Sequence, residues 1–141
     1  WNATYFRPAC MQLQDKFAEH DRLKLASKLF PEDENPLRFS EDCLYLNVYA
    51  PDGDPPDDGW PVMVWFHPGD FNVGAASLWD ASVFAVKQKI IVVVPSYRLD
   101  IFGFFTTLDG HAPGNWGLLD QVAALDWVRN QIKEFGGKPE T

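Results

Sequence analysis

Two side chains with the potential for chemistry, His67 and Asp70, stand three residues apart in segment 67–71, whose sequence is His-Pro-Gly-Asp-Phe. The preceding residues 62–66 are all apolar and do not alternate with polar residues, which is typical of a strand covered on both faces in a parallel sheet. An apolar run that breaks at a histidine and a Pro-Gly turn predicts a strand that delivers a loop to the surface. What this loop can do depends on the elements that position it.

The sequence on either side predicts a βαβ unit around that loop. Residues 62–66 form its first strand, Asp80 is a plausible N-cap for a short helix ending near Lys87, and the β-branched run 90–94 forms its second buried strand. We expect a right-handed crossover between the two parallel strands. The alternating segment 44–49 predicts a half-covered strand, close enough in sequence to the first strand to pair with it as a hairpin.

A long helix is predicted near the end of the sequence, because seven apolar residues recur there at spacings of three and four. They are Leu118, Leu119, Val122, Leu125, Val128, Ile132 and Phe135. Burying all of them would contribute on the order of 10 kcal/mol before entropy is counted. Gly136 and Gly137 follow and supply a left-handed residue that ends the helix. The pattern predicts that this helix is part of the core.

Arg98 lies within an aromatic segment, where an arginine needs a carboxylate partner. Asp120, on the first turn of the long helix, is the nearest sensible partner, because the helix dipole favours negative charge there. The alternative is two solvated charges, which the aromatic neighbours of Arg98 disfavour. We therefore predict an ion pair between these residues.

Composition limits the classes of partner. The 141 residues are 46% hydrophobic and 15% aromatic, which is enough for a packed core. The net charge of −8 disfavours nucleic acid and anionic membranes and leaves proteins and neutral or cationic small molecules as partners.

No run approaches the ~18 apolar residues of a membrane span. No signal segment opens the chain, and because residue 1 is Trp rather than Met we interpret this as truncation. We expect neither a metal nor a cofactor.

Cys10 and Cys43 are either two buried thiols or one disulfide. Asn2 begins an Asn-Ala-Thr glycosylation sequon, and the sequon and the cysteine pair together favour an oxidising, secretory compartment. If the bridge forms, closing a loop of about 33 residues would contribute roughly 4 kcal/mol in the chain-entropy description, whose mechanism is model-dependent.

Several motifs occur in an order that resembles the type-B carboxylesterase and cholinesterase family. They lie at residues 1–10, 41–49, 62–67, 96–99, 103–104, 112–115, 117–121 and 127–137. The resemblance covers nearly the whole chain and is weakest at 11–38. It implies the α/β class and the N-terminal part of an α/β-hydrolase fold, with a mixed, mostly parallel sheet and flanking helices. Residues 1–141 would then be a partial carboxylesterase type-B domain, truncated at both ends.

The same resemblance implies two structural roles. Cys10 and Cys43 match the cysteines of the family's first disulfide, and Arg98 and Asp120 match a buried ion pair of the family. These roles concern the framework of the fold, whereas residues 67–71 match the segment that takes part in catalysis.

In family members that hydrolyse esters, this loop has the sequence His-Gly-Gly-Gly-Phe or a similar one. The N–H groups of its second and third glycines donate to the oxyanion of the tetrahedral intermediate. Those positions are Gly69 and Asp70 here, and Pro68 replaces the first glycine. Proline fixes φ and lacks an N–H, and a carboxylate would oppose the developing negative charge. The resemblance thus implies a degenerate oxyanion loop from His67 to Phe71. In the alternative, Asp70 turns outward and its N–H still serves.

No catalytic residue is predicted within the chain, which has no Gly-x-Ser-x-Gly sequence; the family's serine, acid and histidine would follow residue 141. The main interpretation is a catalytically inactive, cholinesterase-like adhesion or junction ectodomain of the gliotactin and neuroligin kind. It would lie at the extracellular face of the plasma membrane as part of a single-pass protein and bind an extracellular protein partner, with a dimer through the complete domain left open. The alternative is a secreted hydrolase of small carboxylic esters. Neither interpretation includes nucleic acid as a partner.

Overall fold

The computed structural model describes residues 5–13 and 37–139. Their elements, in chain order, are β1 (Ala9–Cys10), β2 (Phe39–Ser40), β3 (Leu46–Tyr49), β4 (Val62–Val64), α1 (Ser82–Gln88), β5 (Ile91–Pro95), α2 (Asp100–Phe104) and α3 (Trp116–Gln131). Short 3₁₀ helices occur at Ala76–Leu78 and Ile132–Phe135. The glycosylation prediction at Asn2 lies outside the described residues. No helix in the described ranges is long and apolar enough to cross a membrane.

Strand β5 is the centre of a three-stranded mixed sheet with the order β3-β5-β4. It pairs in parallel with β4, aligning Val93 with Val64, and antiparallel with β3, aligning Pro95 with Leu46. All five residues of β5 are buried, as the continuous β-branched run predicts. The segments β4, α1 and β5 form the predicted βαβ unit. Strands β1 and β2 make a separate parallel pair.

The predicted hairpin between β3 and β4 is wrong, because β5 lies between these strands and pairs with both. Residues 62–66 are also not fully covered. Strand β4 is an edge strand among the described residues, all of its residues are only partly buried, and Trp65 is 39% exposed. The central position goes to the most uniformly β-branched segment, whose side chains can pack on both faces of the sheet.

The sheet has helices on both faces. One face of β5 packs towards α1 in a cluster of the buried residues Val92, Val94, Ala76 and Ala85. The opposite face packs against α3 and the 3₁₀ helix after it, in a cluster of Ile91, Val93, Val128 and Ile132. Alternate residues of the strand therefore enter different clusters, as the two-residue period of a strand requires.

Helix α3 lies where the sequence predicts a long helix, and Gly136 after it has the left-handed conformation, with φ of +77°. The prediction that its seven periodic apolar residues are buried is wrong for five of them. Those five are 40–54% exposed: Leu118, Leu119, Val122, Leu125 and Phe135. The helix instead directs Gly117, Asp120 and Val128 inwards. The apolar stripe is wider than the surface that the described sheet can cover.

Candidate active site

The loop that follows β4 begins at His67, which is almost completely buried although its neighbours Trp65 and Pro68 are exposed. The Tyr97 hydroxyl, just after β5, donates a hydrogen bond of 2.6 Å to the His67 carbonyl oxygen. The two rings stack with centroids 4.5 Å apart. Burial lowers the pKa of His67 from its ordinary 6.5 and raises the pKa of Tyr97 to about 12. The imidazole is therefore neutral and the hydroxyl protonated near pH 7.

Two glycines allow the loop to close on itself. The N–H groups of Asn72 and Val73 both donate to the Gly69 carbonyl oxygen at 3.0 Å. Gly69 has φ of +140°, and a Cβ at this position would lie 1.7 Å from the Val73 carbonyl oxygen. Gly74 has φ of +134°, and a Cβ there would lie 2.4 Å from Nδ1 of His67. Only glycine fits at both positions, because a side chain would collide with neighbouring atoms.

Between these glycines the loop leaves two adjacent donors unpaired. The N–H groups of Gly69 and Asp70 donate to no acceptor among residues 5–13 and 37–139. Asp70 and Phe71 both have the left-handed conformation, with φ of +55° and +60°. Their carbonyl oxygens are held instead: that of Asp70 accepts from Asn72 Nδ2 at 2.9 Å, and that of Phe71 accepts from the Asp100 N–H at 2.7 Å. Adjacent unpaired N–H groups on a curved backbone can bind an anion.

The Asp70 side chain is exposed, and its carboxylate accepts no hydrogen bond in the described part of the chain. Aspartate tolerates the left-handed conformation better than most residues, which allows it to occupy a position that the resemblance assigns to glycine. The loop consequently keeps a compact course with Pro68 and Asp70 in it.

Arg98 follows Tyr97 in sequence and faces Asp120 of α3. Arg98 Nε donates to Asp120 Oδ2 at 2.8 Å, and Nη2 donates to Oδ1 at 2.7 Å, a bidentate geometry. The Arg98 backbone N–H also donates to Oδ2 at 3.0 Å. The side-chain hydrogen bond to Asp120 raises the pKa of Arg98. The pair is only partly buried, because 36% of the Arg98 side chain remains exposed.

This pair fixes the segment that leaves β5. The Arg98 carbonyl oxygen lies close to both Gly103 of α2 and Gly117 of α3, where an added Cβ would approach it to 2.3 Å. Arg98 directly follows Tyr97, which holds the His67 carbonyl. The contacts of Arg98 therefore help to hold the base of the loop against two helices.

Cys10 and Cys43 form a disulfide, which confirms the predicted bridge and rules out two free thiols. Both cysteines are buried beside the β1–β2 pair. Two residues after Cys10, the buried side chain of Gln12 reaches the end of the candidate loop: its carboxamide accepts from the Gly74 N–H and donates to the Gly74 carbonyl oxygen. The sequence reasoning missed Gln12, whose only local signal was its position next to the disulfide.

The described residues contain no group of three or more His, Cys, Asp or Glu side chains that could hold a metal ion.

Comparisons with known proteins agree with one another. A family model described as "Carboxylesterase family" matches residues 1–141. Carboxylesterase 1E of Mus musculus is 47% identical over 138 residues, which are 98% of this chain and 24% of that relative. Carboxylesterase 5A of Homo sapiens is 56% identical over 102 residues, which are 72% of this chain and 18% of that protein. A solved "thermophylic PNB esterase" is 43% identical, with a TM-score of 0.76, over 98% of this chain and 26% of the esterase. The chain thus spans about a quarter of the length of such relatives.

Proposed function

Because this chain belongs to the carboxylesterase family and has part of its α/β-hydrolase fold, we propose that it supplies the oxyanion-binding loop of a hydrolase acting on small carboxylic esters. The observation that carries the proposal is the pair of adjacent N–H groups on Gly69 and Asp70, which donate to no acceptor within residues 5–13 and 37–139. The nucleophilic serine, the acid and the histidine would come from sequence outside these 141 residues, which contain no Gly-x-Ser-x-Gly elbow.

In the proposed reaction the serine attacks the ester carbonyl carbon, and the carbonyl oxygen gains negative charge. The two N–H groups would donate to that oxygen, and each such donor typically contributes a factor of about 10²–10³ in turnover. Pro68 removes no donor from this pair, because it precedes both. The loop is already curled and held at both ends in the structure, so little reorganisation is needed when the charge develops.

The charge of Asp70 determines how far we expect the turnover of the ester to be reduced. Its exposed side chain supports the alternative in which the carboxylate faces water while its N–H serves the oxyanion. A solvated carboxylate still repels a nearby negative charge, although water screens the repulsion. We therefore expect a working hydrolase whose turnover is reduced by this charge.

The second candidate is the inactive, cholinesterase-like adhesion ectodomain, with an extracellular protein as partner and a dimer through the complete domain. The observation that favours it is the presence of Pro68 and Asp70 at two positions where the family resemblance implies glycine. The relatives named above are carboxylesterases and esterases, which supports the hydrolase instead. For either candidate, the Cys10–Cys43 disulfide supports an oxidising location, secreted or at the outer face of the plasma membrane.

The deciding experiment measures hydrolysis of a short-chain p-nitrophenyl ester by the complete protein that contains this chain. We expect saturable turnover by the natural sequence and an increase of about tenfold or more in kcat for Asp70→Gly, because the variant removes the repelling carboxylate. Asp70→Asn removes the charge but keeps the size, so it separates electrostatics from backbone freedom. Asp54→Asn, an exposed acid in a different loop, is the matched control and should leave kcat unchanged.

Absence of turnover in both the natural sequence and Asp70→Gly would overturn the hydrolase and leave the adhesion candidate. Turnover that Asp70→Gly and Asp70→Asn do not change would keep the hydrolase and remove the role given to the Asp70 charge.

A further inference from the structure

We propose that Gln12 is a positioning residue for the oxyanion-binding loop, and that it links the disulfide-bonded N-terminal segment to the end of that loop. The inference rests on the proposed function, because it assigns a role at the same site. It goes beyond that function by naming a side chain 62 residues from its partner in sequence, outside the loop itself.

The Gln12 carboxamide makes three hydrogen bonds to backbone atoms. Its Oε1 accepts from the Gly74 N–H at 2.8 Å, and its Nε2 donates to the Gly74 carbonyl oxygen at 2.7 Å and to the Cys10 carbonyl oxygen at 2.9 Å. Gln12 is one of few buried polar residues in the described part of the chain. The carboxamide therefore satisfies both the N–H and the carbonyl oxygen of Gly74, as the backbone of a neighbouring strand would. Its third hydrogen bond joins it to Cys10, which carries the disulfide.

Gly74 is a sensitive place to hold the loop. Its Cα packs against the His67 ring and the Pro68 carbonyl oxygen so closely that an added Cβ would lie 2.4 and 2.8 Å from them. Tyr97 fixes the first residue of the loop through the His67 carbonyl, and Gln12 fixes the last through Gly74. The donors on Gly69 and Asp70 lie between these two attachments.

Removing the Gln12 carboxamide leaves the N–H and the carbonyl oxygen of Gly74 without these partners, so the loop end must shift or admit water. A displacement of about 1 Å at a catalytic group can reduce turnover by about 10²-fold. Oxyanion contacts are stronger in the transition state than with the bound ester, so the loss should appear mainly in kcat and leave KM little changed.

The test uses the complete protein and the variants Gln12→Met, which keeps the volume and loses every hydrogen bond, and Gln12→Glu, which keeps only an acceptor for the Gly74 N–H. We expect kcat for the p-nitrophenyl ester to fall by about ten- to a hundredfold in Gln12→Met, with KM changing by less than about threefold. Affinity for a trifluoromethyl ketone, which forms an oxyanion with the serine, should fall in parallel. Gln88→Met, at an exposed glutamine on α1, is the control and should change neither.

Amide hydrogen exchange gives a readout that does not require activity. The Val73 and Gly74 N–H groups should exchange at least about tenfold faster in Gln12→Met, whereas the amides of β5 should keep their protection. The increase should be smaller in Gln12→Glu, which keeps an acceptor for the Gly74 N–H. If the natural sequence hydrolyses no ester, the proposed function fails and exchange alone decides the positioning role. Gln12→Met with unchanged kcat, ketone affinity and exchange would overturn the inference. Should Gln12→Met fail to fold, Gln12→Glu is judged by the same three measurements.

Discussion

The loop at residues 67–74 and helix α3 show two opposite ways in which this chain uses its residues. The loop has little regular structure, yet it is held by Tyr97 at one end and Gln12 at the other, and it closes on itself through Gly69. Helix α3 is the longest regular element, yet five of the apolar residues in its region are substantially exposed.

The loop and helix α3 differ in how much of their surface is contacted by other described residues. Within the described residues, Tyr97 and Gln12 hold the two ends of the loop. Helix α3 is held by Val128, which packs against β5, and by Asp120, which pairs with Arg98. The residues Leu119, Val122 and Leu125 on its outer face are 46–54% exposed. We expect the remainder of a carboxylesterase domain to cover that face.

The largest effect should come from substituting a glycine in the loop. Gly74→Ala places a Cβ 2.4 Å from the His67 ring at a backbone φ of +134°. Strain and overpacking together should lower the free energy of unfolding by roughly 3–5 kcal/mol. The measurement is urea unfolding of the complete protein.

Gly110→Ala is the matched control for that substitution. Gly110 has φ of +86°, but a Cβ there meets no atom within 4 Å. The cost should be only about 1 kcal/mol, from the backbone conformation alone. Equal losses for the two variants would show that the close contact between Gly74 and His67 is unimportant, and the loop would then be less tightly specified than we infer.

A medium effect should come from the ion pair that holds α3 to the end of β5. Asp120→Asn leaves Arg98 without its carboxylate and should reduce the free energy of unfolding by about 2–3 kcal/mol. This is below the range for a fully buried pair, because part of the Arg98 side chain is in water. The measurement is again urea unfolding, combined with the double variant Arg98→Met/Asp120→Leu.

The chain contains its own control, the Lys138–Asp58 pair, with 4.0 Å between Lys138 Nζ and Asp58 Oδ2 and with 87% of the Asp58 side chain exposed. Asp58→Asn should change stability by less than about 1 kcal/mol. If Asp120→Asn were as mild as Asp58→Asn, the pair would not be what anchors the helix.

The smallest effect within this chain should come from the outer face of α3. Val122→Gln should change the stability of residues 1–141 by about 0.5 kcal/mol or less and reduce their self-association, because Val122 is already 53% exposed. In the complete protein the same variant should lower the free energy of unfolding by about 2 kcal/mol, since a covered apolar side chain would be replaced by a polar one.

Arg129→Gln, at another exposed position of the same helix, should have little effect in either context. Light scattering of the short chain and urea unfolding of the complete protein provide the two readouts. Equal stability effects of Val122→Gln in both contexts would contradict the expectation that this face becomes covered.

Sequence reasoning located most of the helices and strands, but it did not predict correctly which strands pair or which helix residues are buried. The apolar runs gave the βαβ unit, and periodicity gave α3. The predicted left-handed residue at Gly136 is present, but α3 ends earlier, at Gln131, and a 3₁₀ helix lies between them. The hairpin prediction failed because closeness in sequence was taken as closeness in the sheet, whereas β5 pairs with strands on both sides of it in sequence. The burial prediction for α3 failed because periodicity gives the angular width of an apolar stripe but not the amount of surface available to cover it.

The candidate site divides in a similar way. Its residues from His67 to Phe71 could be found from the break in the apolar run and from the family resemblance, and the resemblance also gave the Cys10–Cys43 and Arg98–Asp120 pairs. The contact from Gln12 to Gly74 had no local pattern, because a hydrogen bond across 62 residues depends on how separate segments pack.

By itself the sequence determined that the segments of β3, β4 and β5 are extended, that those of α1 and α3 are helical, and that a left-handed glycine follows the last helix. These properties arise from sterics and side-chain type within a few residues. Only the tertiary structure decided that β5 is central, that Asp70 is exposed and that its N–H and that of Gly69 have no partner in the described residues. Those outcomes depend on competition among distant segments for the same hydrogen-bonding edges and apolar surface, which no local pattern records.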